Sequence, residues 1–213
     1  MKQTRYWKIV LALLLAAGPL ASQAQLISNG GLEGGTQGQF GSATIPGWST
    51  FGTEGWHHSD PGGFHGGSLA VKVWNENTGL YQDFAATAGT SYDVSAFGLS
   101  ASNDGLAGWD GVLKIEWFQG NTPLGSQEID RFVGGSDPLG SWVQLAGVGT
   151  AVAGADKGRI VLGLTAVGTG NRSGSLNWDD ASVTLAAIPE PSSVALMGVG
   201  LATALGAVLR RRK

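Results

Sequence analysis

Apolar and polar positions alternate in short runs through the middle of the chain. In Ser68–Trp74 the apolar residues Leu69, Val71 and Val73 fall on one face, as in a half-buried strand. Comparable runs cover residues 79–84, 91–99, 112–118, 141–145, 159–167 and 176–185. None holds an apolar stripe at the 3.6-residue helical period. Turn residues punctuate them at Asn103-Asp104-Gly105, Gly134-Gly135-Ser136 and Asn171-Arg172-Ser173-Gly174. Many short strands with polar turns and no internal repeat predict an all-β fold, a single jelly-roll β-sandwich. The Gly-rich stretch from Gly30 to His65 is expected to wrap its edge.

The pattern changes at both ends. Lys2, Arg5 and Lys8 precede an apolar run from Ile9 to Ala17, then Gly18-Pro19 and the small residues Ser22 and Ala24. A positive start, a short apolar core and small residues before a cut are the marks of a secretory signal peptide over residues 1–24. Nine apolar residues are too few to cross roughly 30 Å of hydrocarbon, which argues against an N-terminal anchor. At the other end, residues 188–213 open on Ile188-Pro189-Glu190-Pro191-Ser192-Ser193. The run from Val194 to Leu209 is apolar, and Arg210, Arg211, Arg212 and Lys213 close the chain. Two prolines keep the motif extended. Sixteen residues make about 24 Å of helix, a short transmembrane helix that thinning and snorkelling can accommodate. The four terminal cations stop transfer on the cytoplasmic side, placing Pro189, Glu190 and Pro191 on the outer face.

Composition narrows the class. The 213 residues include 36 Gly and no Cys, and 14% are charged. So much Gly disfavours a helical bundle, and the lack of Cys excludes disulfide scaffolds, Cys-ligated zinc and thiol catalysis. The predicted domain, residues 25–187, holds 6 basic and 15 acidic residues, a net charge of −9 that the whole-chain value of −3 conceals. Such a surface repels nucleic acid.

The tail, with motif, apolar span and basic stop in order, resembles the PEP-CTERM sorting signals of bacteria. That resemblance implies export in a Gram-negative bacterium that makes exopolysaccharide. It also implies transient membrane anchoring, recognition by an exosortase-type sorting protease and processing at Pro189-Glu190-Pro191. An unprocessed C-terminal anchor is the alternative. In the domain, the succession Asn29-Gly30-Gly31-Leu32-Glu33, Pro46-Gly47-Trp48, Gly67–Val71, Leu80-Tyr81-Gln82, Ala88–Ser95, Trp142 and Asn177-Trp178-Asp179-Asp180 resembles the galactose-binding-like jelly roll of carbohydrate-binding modules. This second resemblance implies a structural calcium, with Glu33 as the opening acid and Asp179 and Asp180 as the acidic pair of the last strand. Adjacent strand residues point to opposite faces, so one of the two Asp would enter such a site. Otherwise one Asp is solvated and Glu33 caps a turn.

Sugar binding calls for exposed aromatic faces beside planar polar groups. Trp48, Trp74, Trp117, Trp142 and Trp178 sit in or beside strand patterns, where packing is the expectation. Trp56 and Trp109 lie in polar, Gly-rich surroundings and are the candidate glycan platforms. His57, His58, Asp60 and His65 form the chain's histidine cluster; their spacing fits no common metal motif, and a wet loop is expected. No catalytic motif appears, and 15 acids offer many carboxylate pairs without singling one out. Glu116, inside a predicted strand, reads as a hydrogen-bonded face residue. The expectation is a non-enzymatic protein of the cell surface or extracellular matrix that binds exopolysaccharide or another glycan. A structural or adhesion protein contacting other proteins is the alternative, and a glycan hydrolase the third reading.

Overall fold

A computed structural model describes residues 23–75 and 78–187. Residues 1–22 of the expected signal peptide and the whole sorting tail lie outside the described residues. Among the described residues no helix is long and apolar enough to cross a membrane.

Among the described residues eleven strands form two antiparallel sheets: β1 (Gly38–Gln39), β2 (Ser49–Phe51), β3 (Gly55–His58), β4 (Ala70–Val73), β5 (Gly79–Ala85), β6 (Ser91–Leu99), β7 (Trp109–Gln119), β8 (Thr122–Phe132), β9 (Val143–Thr150), β10 (Lys157–Ala166) and β11 (Leu176–Leu185). One sheet runs β1-β3-β4-β11-β6-β9, the other β2-β5-β10-β7-β8. Alternating residues of each sheet point inward, as the sequence pattern requires: Val71, Val73, Leu80, Val94, Ala96, Leu113, Ile115, Ile160, Leu162, Trp178 and Val183 are all buried. Phe84, Tyr92 and Trp117 meet between the sheets with ring centroids 5.4–6.2 Å apart. Edge-to-face and tilted aromatic pairs at this spacing are favourable beyond their buried area.

Strand β8 departs from the prediction. Thr122–Glu128 is exposed throughout and contains Pro123 and Gly125, so no apolar alternation marks it. It forms because it is an edge strand: Pro123 needs no inner partner there, and two irregularities in its pairing with β7 twist the edge. Its side chains also close one side of the sandwich. Ala146 N–H donates to Asp130 Oδ2 (3.0 Å), Gln127 Nε2 donates to the Val148 carbonyl (3.0 Å) and Thr150 N–H donates to Gln127 Oε1 (3.2 Å). The free edge of β9 is thereby capped. The Gly30–His65 stretch is more than wrapping, since it supplies the short edge strands β1 and β2 and the short strand β3 between β1 and β4.

Both ends of the domain meet at one end of β11. Gln25 pairs with Thr184, Leu26 N–H donates to the Val183 carbonyl (2.8 Å), and Ala186 N–H donates to the Ser91 carbonyl (2.9 Å).

Candidate functional site

A groove of about 630 Å³ opens on the outer face of the six-stranded sheet. Its floor comes from the register of three strands. Trp56 on β3 lies opposite Lys72 on β4, and Lys72 lies opposite Asn177 on β11. Trp74 follows Lys72 by two residues and lines the same groove. Val71 and Val73, being core residues, force Lys72 and Trp74 outward. Two loops build the rim. Residues 100–108 bring Asp104 and residues 167–175 bring Ser173, Gly174 and Ser175, the loops being joined where Ala107 pairs with Ser173. Gly174 is required at the join: it has φ +81°, and a Cβ there would meet the backbone of Gly105 and Leu106.

Polar groups converge inside. Asp104 Oδ2 accepts from Lys72 Nζ (2.8 Å) and from the Ser175 hydroxyl (2.5 Å). Burial works to raise the Asp104 carboxyl, but the Lys72 ammonium and the Ser175 hydroxyl outweigh it and hold it below its ordinary value. It is an anion at neutral pH. His58, buried beneath the groove, accepts at Nδ1 from Asp60 N–H (3.1 Å) and donates from Nε2 to Asn177 Oδ1 (3.0 Å). That pattern belongs to one neutral tautomer. Burial lowers its pKa, against the raising effects of Asn177 and Asp60.

The sequence candidates divide. Trp56 is 45% exposed, on a strand rather than a loop, with its ring at the groove. Trp109 is corrected: it opens β7, is 4% exposed, and carries the Arg172 guanidinium over its ring at 5.0 Å. A ring so enclosed offers no face to a sugar. The expected wet histidine loop is also corrected, because His57 and His58 occupy β3 and are buried. They point to opposite faces; His57 Nε2 donates to the Leu32 carbonyl (2.8 Å) while His58 supports the groove. Glu116 lies on β7 beside Lys114 (2.8 Å).

Glu33, Asp179 and Asp180 all converge on one loop, His65–Leu69. Glu33 Oε1 accepts from Ser68 N–H (2.8 Å) and Leu69 N–H (3.0 Å), and its Oε2 accepts from the Ser68 hydroxyl (2.9 Å). Burial works to raise the Glu33 carboxyl, yet these donors bring it below its ordinary value. Asp179, fully buried, accepts at Oδ2 from His65 and Gly66 N–H (2.7 and 3.0 Å) and at Oδ1 from Asp180 N–H (2.7 Å). Burial outweighs these amides and pushes its pKa up to about 6. Asp180 was expected on the opposite face. Instead its φ of +45° and a register shift in β11 turn it to the same loop, where its Oδ2 lies 2.7 Å from His65 Nδ1. Calcium takes six to eight oxygens. Among the described residues no group of three or more acidic or imidazole side chains is placed to hold a metal ion. Both oxygens of Glu33 and of Asp179 face N–H or O–H donors, a set that does not fit a cation.

Lys72, Trp74, Asn75, Asp104, Ser173 and Ser175 were missed as site residues. The face opposite Leu69, Val71 and Val73 carried the signal for Lys72 and Trp74. Nothing in the sequence indicated that the two turns bearing Asp104 and Ser173 meet beside it.

The fold is a two-sheet β-sandwich that solved carbohydrate-binding modules share. The xylan-binding CBM22-1 domain of Paenibacillus barcinonensis Xyn10C superposes with a TM-score of 0.54 at 14% identity, covering 78% of this chain and 97% of that one. The CBM22-1-GH10 modules of Clostridium thermocellum xylanase 10B, complexed with xylohexaose, give 0.53 at 13% identity over 78% of this chain. This chain spans only 29% of that protein. TmCBM61 in complex with beta-1,4-galactotriose gives 0.50 at 17% identity, over 76% of this chain and 99% of that one. These likenesses establish the fold. Residues 187–213 match the PEP-CTERM protein-sorting motif. No curated protein sequence matches the chain significantly.

Proposed function

We propose that this is an exported, non-enzymatic glycan-binding protein, delivered through its PEP-CTERM signal to the cell surface or extracellular matrix. The observation that carries the reading is the half-exposed Trp56 ring in a groove with Trp74, Lys72, Asp104, Asn75 and Ser173. Trp56 on β3 and Trp74, the residue that follows β4, are diagonal neighbours, about 7–8 Å apart at Cα. Such a pair suits stacking on successive sugar rings, while the Asp104 carboxylate and Lys72 ammonium offer an acceptor and a donor to hydroxyls. Among the described residues lining the groove, Asp60 and Asp104 stand against the single cation Lys72, which suits a neutral glycan rather than a polyuronate. The anionic Asp104, tied to Lys72, is unsuited to protonate a leaving group as a hydrolase's general acid must. The tail supports export, transient membrane anchoring and cutting at Pro189-Glu190-Pro191 by an exosortase-type protease.

Affinity electrophoresis of residues 25–187 through gels containing neutral and acidic polysaccharides tests the reading. The expected result is retardation by a neutral polymer, insensitive to moderate salt and lost in Trp56→Ala. Migration unchanged in every gel, or retardation only by polyanions, would overturn it.

A further inference from the structure

The two ends of β11 serve different partners. The groove lies at the level of Asn177, where the strand starts. The chain leaves the domain at Leu185, eight residues on, or about 26 Å along the strand. Around that exit three loops pack together, 86–90, 119–122 and 151–156. Ala86 N–H donates to the Asp156 carbonyl, Gly89 N–H to the Ala151 carbonyl, Ala151 N–H to the Thr90 carbonyl and Asp156 N–H to the Phe118 carbonyl.

Chain length ties this end to whatever cuts the tail. Ala186 is still hydrogen-bonded to β6, and Glu190 is four residues further, so at most about 14 Å separates them. Val194, where the apolar run begins, is eight residues from Ala186, at most about 29 Å. A protease embedded in the membrane cannot close on Pro189-Glu190-Pro191 without meeting the exit loops. Their composition fits close approach. They read Ala-Thr-Ala-Gly-Thr, Gln-Gly-Asn-Thr and Ala-Val-Ala-Gly-Ala-Asp, with one charged residue in a domain of net charge −9. That residue, Asp156, accepts from Gly120 N–H at 2.8 Å.

We infer that these three loops are the docking surface for the membrane sorting protease, and that the groove, at the opposite end, stays open while the tail is held. The inference rests on cutting at residues 189–191 and is independent of what the groove binds.

The test follows cutting of the full chain, in cells that contain a sorting protease of this kind, by the appearance of the shortened product. Ala88→Arg with Ala153→Arg, and Ala88→Glu with Ala153→Glu, place bulk and either charge on exposed loop positions. Ser136→Arg with Gly170→Arg puts the same charge on exposed positions at the groove end. Both exit-loop variants should be cut at least roughly fivefold more slowly than the parent, and the groove-end variant at the parent's rate. A ten-residue Gly/Ser insert after Ala187 adds roughly 17–19 Å of flexible reach and should restore cutting of both slow variants to within about twofold. Exit-loop variants cut at the parent's rate overturn the docking surface alone. Slow variants that the insert does not rescue also overturn it. Slowing by Glu but not by Arg overturns it in favour of an anionic lipid surface. A parent that is never cut overturns the processing reading and this inference together.

Discussion

Gly174→Ala should damage the domain far more than Gly168→Ala, although both glycines sit in the loop between β10 and β11 with similar backbone angles, φ +81° and +66°. Forcing a residue with a Cβ into this left-handed region costs about 1–2 kcal/mol at either site. At Gly168 no atom of the described residues lies within 4 Å of the added carbon, so that cost is the whole effect. At Gly174 the carbon would overlap the Gly105 carbonyl, a backbone contact that no side-chain rotation relieves. Relief requires separating the two rim loops, with loss of the Ala107–Ser173 pairing and of the Ser175–Asp104 bond. Two or three hydrogen bonds at roughly 1 kcal/mol each bring the total to about 3–5 kcal/mol. In a domain of this size each kcal/mol moves the melting temperature by about 2–4 °C. Gly168→Ala should therefore melt a few degrees below the parent, and Gly174→Ala some 10 °C or more below it. Urea or thermal melts followed by near-UV circular dichroism give both values. Equal shifts for the two variants would refute the close approach of the rim loops.

Trp56→Ala should leave the melting temperature within about 1–2 °C of the parent, since exposed side chains contribute little. Trp109→Ala, removing a ring that is 4% exposed, should cost about 3–5 kcal/mol by the same melts. Asp179 binds its proton up to about pH 6 when folded and only to about 3.8 when unfolded, so its contribution to stability falls as pH rises through that window. Asp179→Asn removes the effect. Whatever its offset, its stability relative to the parent should rise by about 2 kcal/mol between pH 4 and pH 7 in urea titrations; a constant difference would contradict the buried carboxyl. Excess EDTA should leave the parent's melting temperature unchanged, because amide and hydroxyl donors already occupy the oxygens of Glu33 and Asp179; a fall of several degrees would reveal a bound cation.

Much of the fold is legible from alternation alone. Leu69, Val71 and Val73, and the inward rows of β6, β7 and β11, are marked by apolar residues two apart. Strands β1, β2 and β8 are not, because edge strands with two polar or Gly-rich faces carry no such signal, and β3, between β1 and β4, is too short and polar at four residues to show one. The shortness of β3 hid His57 and His58, which it buries on opposite faces. Trp109 misled because its neighbours Gly108 and Asp110 are common in loops, whereas here Asp110 is buried against Arg131 Nη1 (2.8 Å) and Gly134 N–H (2.9 Å). Asp180 escaped strict alternation through a bulge, which no period of two can foresee. The groove was only half visible. Trp56 stood out by its polar setting, but the meeting of the 100–108 and 167–175 loops is a product of sheet topology.

Glycan binding at the Trp56 groove is tested most directly by titrating residues 25–187 with defined neutral oligosaccharides of increasing length while following tryptophan fluorescence. The account predicts a saturable change that needs at least two sugar units, weakens roughly tenfold or more in Trp56→Ala, and persists in Ser136→Arg. No saturable change with any oligosaccharide, or equal affinity in the parent and Trp56→Ala, would contradict it.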